Sequence, residues 1–368
     1  MTVVFAGGGT GGHLYPAIAI ADALRERGAA IAFVGTADRL EATIVPKAGY
    51  ELHAVRSRPL VRKFSLALVA TIAANFVGCV QSALLLRRLR PQMLIATGGY
   101  VCFPVVLAAR VLRGLRAFDG AIALVEPNAH PGLTNRLLAP WVDEVWGAFE
   151  PGDARFAGKY VATGVPVRAS LRALPPRDVA TAQLGLSPER KTLLAIGGSQ
   201  GARTINDALV GLLKRRELPS GWQVIHVTGE REYDRVRGEL GNDGASVRPY
   251  LHDLADAYAA ADLVLARAGA STLSELAAVG KPAVLVPYPH AADDHQSANA
   301  QRFAAGGAAI VVSDRDLAAG RLRAVLDEAA APSRLAALQA AAAALRRGDA
   351  VATILARVDL LTGRRSPS

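Results

Sequence analysis

The chain has 368 residues, 51% hydrophobic and 20% charged, which excludes a disordered chain and leaves room for two domains with full cores. Two cysteines, Cys79 and Cys102, both in apolar runs, exclude a disulfide framework and suit a reducing compartment. The formal net charge of +10 is unevenly spread: Arg56 to Arg116 holds basic residues at 56, 58, 62, 63, 87, 88, 90, 110, 113 and 116, and no Asp or Glu.

The chain opens on a strand, Thr2–Ala6, with no basic n-region, so no signal peptide is expected. Gly7-Gly-Gly-Thr-Gly-Gly-His13 is a glycine-rich turn. Pro16 suits an early helical position, and the helix Ala17–Arg27 closes at Gly28 before the strand Ala30–Gly35. This βαβ opening has phosphate-binding character. Gly7-x-Gly9-x-x-Gly12 matches the dinucleotide fingerprint in form, with Asp38 where an adenosine-ribose carboxylate is sought. His13 is unusual in such a turn and sets an ionisable side chain beside bound phosphate. Two roles stand for it: a general base, or a side chain that only fixes the turn by bonding backbone.

Phe64–Leu86 carries no charge. Its length suggests a membrane span, but Asn75, Gln81 and three Ser/Thr interrupt it, and strand patterns continue on both sides. The composition predicts an amphipathic helix, apolar on one face and basic at its flanks, lying on an anionic leaflet; a plain core helix is the alternative. Nucleic acid is not expected, because the basic run lacks interleaved aromatics and no binding motif is present.

The alternation continues. Met93–Ala96 is a strand ending in Thr97-Gly-Gly-Tyr100, and Ala121–Val125 is a strand ending in a loop from Glu126 to Asn135. Open α/β sheets place ligands at strand C-terminal ends, so Thr97–Tyr100, Glu126 and Asn128 belong beside Gly7–His13. Asn128 and Asn135 also read as loop and cap residues. Val161–Arg168 reads as the crossing between domains. A second start follows: strand Lys191–Ile196, glycine turn Gly197–Arg203, then a helix. Gln223–Thr228 and Ser246–Tyr250 are further strands.

Ala261–Asn299 carries the most chemistry. A strand, Ala261–Ala266, hands over through Arg267-Ala-Gly-Ala to a helix that starts at Ser271 or Thr272 and stops at Gly280-Lys-Pro282. A strand, Ala283–Pro287, follows. The free N–H groups and dipole of that helix start make a site for a diphosphate. Glu275 suits the two hydroxyls of a ribose, and Thr272-x-x-Glu275 reads equally as a capping box. Gln296 and Asn299 lie three apart, on one face of a helix, as directional amides for sugar hydroxyls. Diphosphate, ribose and sugar in that order describe a nucleotide-sugar site. Asp293-Asp294-His295 read as surface loop, and no metal-ligand cluster or cofactor is expected. Pro332–Leu361 is alanine-rich and helical, and Thr362–Ser368 is a polar tail.

Six motifs occur in order: Gly-Gly-Thr-Gly-Gly-His, Thr-Gly-Gly-Tyr, Val-Pro-Val-Arg, Gly-Gly-Ser-Gln-Gly-Ala, Arg-Ala-Gly-Ala-Ser-Thr-x-Ser-Glu and Pro-His-Ala-Ala-Asp-Asp-His-Gln-x-x-Asn-Ala. Together, from Gly7 to about Ala300, the sequence resembles the bacterial lipid II-forming N-acetylglucosaminyltransferases. The resemblance implies an α/β chain of the GT-B fold: two Rossmann-like doubly wound domains facing a cleft. It implies an acceptor- and membrane-facing domain over 1–165, a UDP-GlcNAc domain over 166–345, and a helix over 346–361 that packs back on the first domain before a tail, 362–368. The implied reaction moves GlcNAc from UDP-GlcNAc to the C4 hydroxyl of MurNAc in lipid I, undecaprenyl-diphosphate-MurNAc-pentapeptide, at the cytoplasmic face of the inner membrane.

The implied site follows residue by residue. Thr10, Gly11 and Gly12 contact the nucleotide sugar, and the glycine turn also faces the lipid diphosphate. Asn128 touches the transferred sugar. Arg168 and Ser199 hold the UDP diphosphate, and Leu251 offers backbone to uracil. Ala270, Ser271, Thr272, Leu273, Ser274 and Glu275 wrap phosphate and ribose, with Glu275 on the ribose. Gln296 reads sugar hydroxyls. The pattern departs at one place: the family's His-Glu-Gln-Asn is Val125-Glu126-Pro127-Asn128 here. That leaves His13 and Glu126 as candidate bases. A UDP-GlcNAc 2-epimerase or a related galactolipid synthase is the nearest rival. An NAD-linked dehydrogenase and a non-catalytic nucleotide-sugar binder are the others.

Overall fold

Alternate residues of a strand point to opposite faces of its sheet, so an all-apolar strand needs cover on both sides. The first unit shows this directly. Val3, Phe5, Met93 and Ile95 pack into one buried cluster, and Val4, Ala6, Leu94 and Ala96 pack into another. The computed structural model describes residues 1–59, 65–149, 153–198, 201–241, 245–251, 253–291, 294–346 and 348–363. The chain forms two units, Met1–Arg168 with Gly348–Ser368, and Ala169–Arg347.

The first unit holds β1 (Thr2–Gly7), β2 (Ala30–Gly35), β3 (Glu51–Ala54), β4 (Met93–Gly98), β5 (Ala121–Glu126), β6 (Glu144–Gly147) and β7 (Tyr160–Ala162). They form one sheet in the order β3-β2-β1-β4-β5-β6-β7, and every pairing is parallel. The second unit holds β8 (Lys191–Ile196), β9 (Trp222–Val227), β10 (Ala245–Arg248), β11 (Leu263–Ala266), β12 (Ala283–Leu285) and β13 (Ala309–Val311). Their order is β10-β9-β8-β11-β12-β13, again parallel. Each sheet reverses strand order once, between β1 and β4 and between β8 and β11. Those reversals are where doubly wound sheets open a crevice for ligands.

The last helix, Ala350–Leu361, belongs to the first unit. Val351, Ile354, Leu355 and Val358 complete the cluster over Val3 and Phe5, and Arg357 is paired with Glu144.

Two expectations change. The helix after the first glycine turn starts at Gly11, so Pro16 lies inside it rather than near its start. Proline lacks the N–H that would return to the turn before, which the ring tolerates here at the cost of one bond. Val161–Arg168 is not only a crossing, because Tyr160–Ala162 is the edge strand β7.

The uncharged segment forms the helix Leu66–Leu89, and its apolar side is the exposed one that the amphipathic reading needs. Thr71 and Ser82 are buried, while Val69, Ile72, Phe76, Val80 and Leu84 are exposed, Phe76 at 69%. Asn75 and Gln81 anchor the helix to the segment before it: Arg56 N–H donates to Gln81, and Ser57 and Arg58 donate to Asn75. Small and polar groups dock most of the helix, Leu85, Leu86 and Leu89 pack inward at its end, and the exposed apolar side chains just named are left outside. By length and composition Ala67–Leu89 could cross a membrane, and only 17% of that stretch is buried, which removes the core-helix reading.

In the second unit, His226 on β9 is fully buried. Its Nε2 donates to Asn206 at 2.9 Å, and its Nδ1 has no partner among the described residues. Burial, and then the nearby Arg235, push the imidazole down from 6.5 to about 4. The unfolded chain therefore binds a proton more readily than the folded one. Stability is complete above about pH 6.5 and falls by about 3 kcal/mol as pH drops to 4. His226→Gln keeps the bond to Asn206 and should remove this slope in urea melts across that pH range.

Candidate active site

The turn after β1 is shaped by a carboxylate that no motif in the sequence marks. Glu41 is fully buried. Its Oε2 accepts from Gly9 N–H at 3.0 Å, and its Oε1 accepts from Thr36 N–H at 3.0 Å and from the Thr36 hydroxyl at 2.7 Å. Asp38, the expected ribose carboxylate, is exposed and holds none of these groups. The amide that a dinucleotide phosphate would use is spent on the protein's own side chain.

His13 is the third residue of the helix that leaves this turn. Its Nδ1 lies 3.0 Å from the Gly8 carbonyl oxygen and 3.3 Å from the Thr10 hydroxyl. A carbonyl only accepts, so Nδ1 carries the proton and Nε2 the lone pair. Both expected roles are compatible with this geometry, since the backbone bond is what prepares Nε2 to accept. Thr10 precedes the helix without a side-chain cap bond, leaving the N–H groups of Gly11 and Gly12 without helical partners.

The turn after β4 closes over the first. Gly98 and Gly99 sit at φ +112° and +87°, and a Cβ on Gly98 would lie 2.7 Å from His13 Cδ2. On Gly99 it would lie 2.4 Å from the Gly8 carbonyl. Two glycines are what allow both turns to interlock around the imidazole.

Glu126, at the end of β5, is not placed as a base. It is 1% exposed. Oε1 accepts from the Asn128 backbone at 2.9 Å and its amide at 3.1 Å; Oε2 accepts from Gly132 N–H at 3.1 Å and the Asn135 amide at 2.9 Å. Burial pushes the carboxyl above the usual carboxylate range, and these bonds offset only part of the rise. Its lone pairs are turned into its own loop, so it organises residues 127–135 and orients Asn128. Asn135 is buried with it. Arg168, last in the first unit, stacks 4.7 Å from the centre of the Tyr15 ring, on the helix that carries His13.

In the second unit the helix Ala270–Val279 is preceded by Gly269, which offers no side chain as a cap. The capping-box reading therefore fails: Thr272 lies inside the helix, and Glu275 Oε2 accepts from the Tyr258 hydroxyl at 2.9 Å. The N–H groups of Ala270, Ser271 and Thr272 have no carbonyl within the helix to bond. Such a start, with the positive end of its dipole, suits an anion. Leu273 and Ser274 do not take part by side chain, because Leu273 is buried and Ser274 bonds Ala270 O at 2.7 Å.

Gln296 and Asn299 do not act as a pair. Asn299 is fully buried and donates to Ala268 O at 3.3 Å, so it braces the turn. Gln296 accepts from Tyr288 N–H at 3.0 Å, which aims its amide. Arg267 is tied to Asp314 and the carbonyls of Val286 and Pro287. Leu251 follows β10, half-buried and outside any strand. Ser199 lies outside the described residues.

Residues 3–146 match the glycosyltransferase family 28 N-terminal domain and residues 192–354 its C-terminal domain. A UDP-N-acetylglucosamine--N-acetylmuramyl-(pentapeptide) pyrophosphoryl-undecaprenol N-acetylglucosamine transferase of Moorella thermoacetica is 42% identical, covering 96% of this chain and 97% of its own. A protein of the same description from Chlorobium luteolum is 43% identical over 86% and 87%. The crystal structure of MurG from Acinetobacter baumannii superposes with a TM-score of 0.75 at 26% identity, covering 98% and 99% of the two chains. The calicheamicin glycosyltransferase CalG4 shares the fold at 18% identity, with a TM-score of 0.69 over 100% of this chain and 99% of its own.

Proposed function

From a chain that belongs to glycosyltransferase family 28, we infer transfer of GlcNAc from UDP-GlcNAc to lipid I, giving lipid II for peptidoglycan synthesis. The observation that carries this reading is identity of about 40% along nearly the whole chain to relatives named for that transfer.

The residues divide the chemistry. The helix start at Ala270–Thr272 neutralises the leaving diphosphate, with Arg168 as a second source of positive charge. Glu275, oriented by Tyr258, takes the ribose hydroxyls, and Gln296 reads the sugar. His13 Nε2 takes the proton of the acceptor's C4 hydroxyl as that oxygen attacks the anomeric carbon. The bond to UDP breaks with its electrons on the diphosphate, and the anomeric centre inverts. Asn128 contacts the transferred sugar.

The test is incubation with UDP-GlcNAc and a short-chain lipid I analogue. UDP release that requires the acceptor, with radiolabel on the polyprenyl-linked product, is expected. Label in free ManNAc would point instead to an epimerase, and in diacylglycerol to a galactolipid synthase. The dehydrogenase reading loses its footing because Glu41 occupies the Gly9 amide.

The outward apolar side of the helix Leu66–Leu89, with Arg87, Arg88 and Arg90 at its end, suits contact with an anionic leaflet at the cytoplasmic face of the inner membrane. Phe76→Glu should lower partition into phosphatidylglycerol vesicles about tenfold or more and leave turnover of a water-soluble acceptor unchanged. Equal partition of both proteins in a sedimentation assay would remove the helix from the contact.

A further inference from the structure

One peptide group in the first unit is gripped at both ends. The N–H of Gly9 donates to Glu41 Oε2 at 3.0 Å. The carbonyl of Gly8, in the same peptide plane, accepts from His13 Nδ1 at 3.0 Å. Nothing can stand between carboxylate and peptide, because a Cβ on Gly8 would lie 2.5 Å from Glu41 Oε1. Thr36 fixes the other carboxylate oxygen through two further bonds.

We propose that Glu41 acts on His13 through the Gly8–Gly9 peptide, as a carboxylate–peptide–histidine relay that sets the imidazole tautomer and strengthens Nε2 as a proton acceptor. The proposal rests on the reading of His13 as the base. A carboxylate bonded to a peptide N–H polarises the amide, so its carbonyl accepts more strongly. A stronger acceptor on Nδ1–H raises the proton affinity of Nε2, as a directly bonded carboxylate does in Ser-His-Asp arrangements. Here the peptide stands between them, which keeps the carboxylate buried and its charge away from an anionic substrate.

The other groups about the turn come from each neighbouring element. They are the Thr10 hydroxyl, Tyr100, whose ring would touch a Cβ on Gly9 at 3.9 Å, and Arg168 over Tyr15. Glu41 is the one that bonds the peptide held by His13, which makes it a positioning residue rather than a group that touches substrate.

The experiment is Glu41→Gln in the full chain, assayed with UDP-GlcNAc and the short-chain acceptor. A fall in kcat of about 10- to 100-fold is expected, with KM for UDP-GlcNAc unchanged within about twofold. The acid limb of the kcat profile should move to lower pH, because Nε2 holds its proton less tightly. In a His13→Ala background the same substitution should change residual turnover by about twofold or less. Equal losses in both backgrounds, or an unmoved acid limb, overturn the relay. Nitrogen NMR of His13 in the unaltered protein gives a reading that no variant's folding can spoil. The Nδ1-protonated tautomer at neutral pH is expected, and the opposite tautomer overturns the proposal. If His13→Ala keeps full turnover, the base assignment fails, and the tautomer measurement still decides the relay.

Discussion

His13→Ala is expected to lower turnover by about 10²-fold or more while UDP-GlcNAc binding persists. An alcohol gives up its proton to water too slowly to attack a sugar at neutral pH, so a positioned acceptor carries much of the rate. The imidazole is suited by both geometry and chemistry. Its Nδ1 is committed to the Gly8 carbonyl, and the ring lies against Gly98, where no side chain fits. The proposed donor contacts at Ala270–Thr272, Glu275 and Gln296 lie in the other unit from His13, so affinity and rate should separate. Single-turnover UDP release, set beside calorimetric binding of UDP-GlcNAc, measures both. Unchanged turnover would remove His13 as the base.

Glu126→Ala should act in the opposite sense, on stability first. The substitution takes the carboxylate from four donors: the Asn128 amide and backbone, Gly132 N–H and the Asn135 amide. Removing one partner of a buried, multiply bonded charge costs about 3–5 kcal/mol, which for a unit of this size lowers its melting temperature by roughly 10 °C. Whatever turnover is lost should return in part on cooling, because the loop carrying Asn128 refolds. Turnover that stays absent in fully folded protein, with melting unchanged, would restore Glu126 as the base.

Strands such as β1, β4, β5, β8 and β11 were legible because each is an apolar run almost wholly buried, whereas β3, β6, β7 and β13 went unread, three of them short strands at sheet edges. The candidate site could be proposed because it follows strand ends. The boundaries that moved have local causes. Gly269 caps a helix without a side chain, so nothing in its identity announced the start, and Thr272 drew the eye instead. Pro16 pulled the first helix start several residues too late. The partners that decide the site were hidden by separation: Glu41 meets Gly9 across 32 positions, and Tyr258 meets Glu275 across 17. Asp38 stood at the spacing of a ribose carboxylate, while Glu41, three residues on, bonds the glycine turn itself. For the helix Leu66–Leu89, composition revealed an apolar segment but not which side is docked. That depends on Ser57 and on the backbone of Arg56 and Arg58, which meet Asn75 and Gln81.

The two halves share a strand order, yet they treat their first glycine turn and helix start differently. The first commits the Gly9 amide to a carboxylate of its own. On the proposed reading a dinucleotide phosphate lacks that donor in the first unit, and one nucleotide per chain is the expected stoichiometry. Inhibitors built to resemble UDP would then compete against the sugar donor alone, leaving the acceptor half to be targeted by different chemistry.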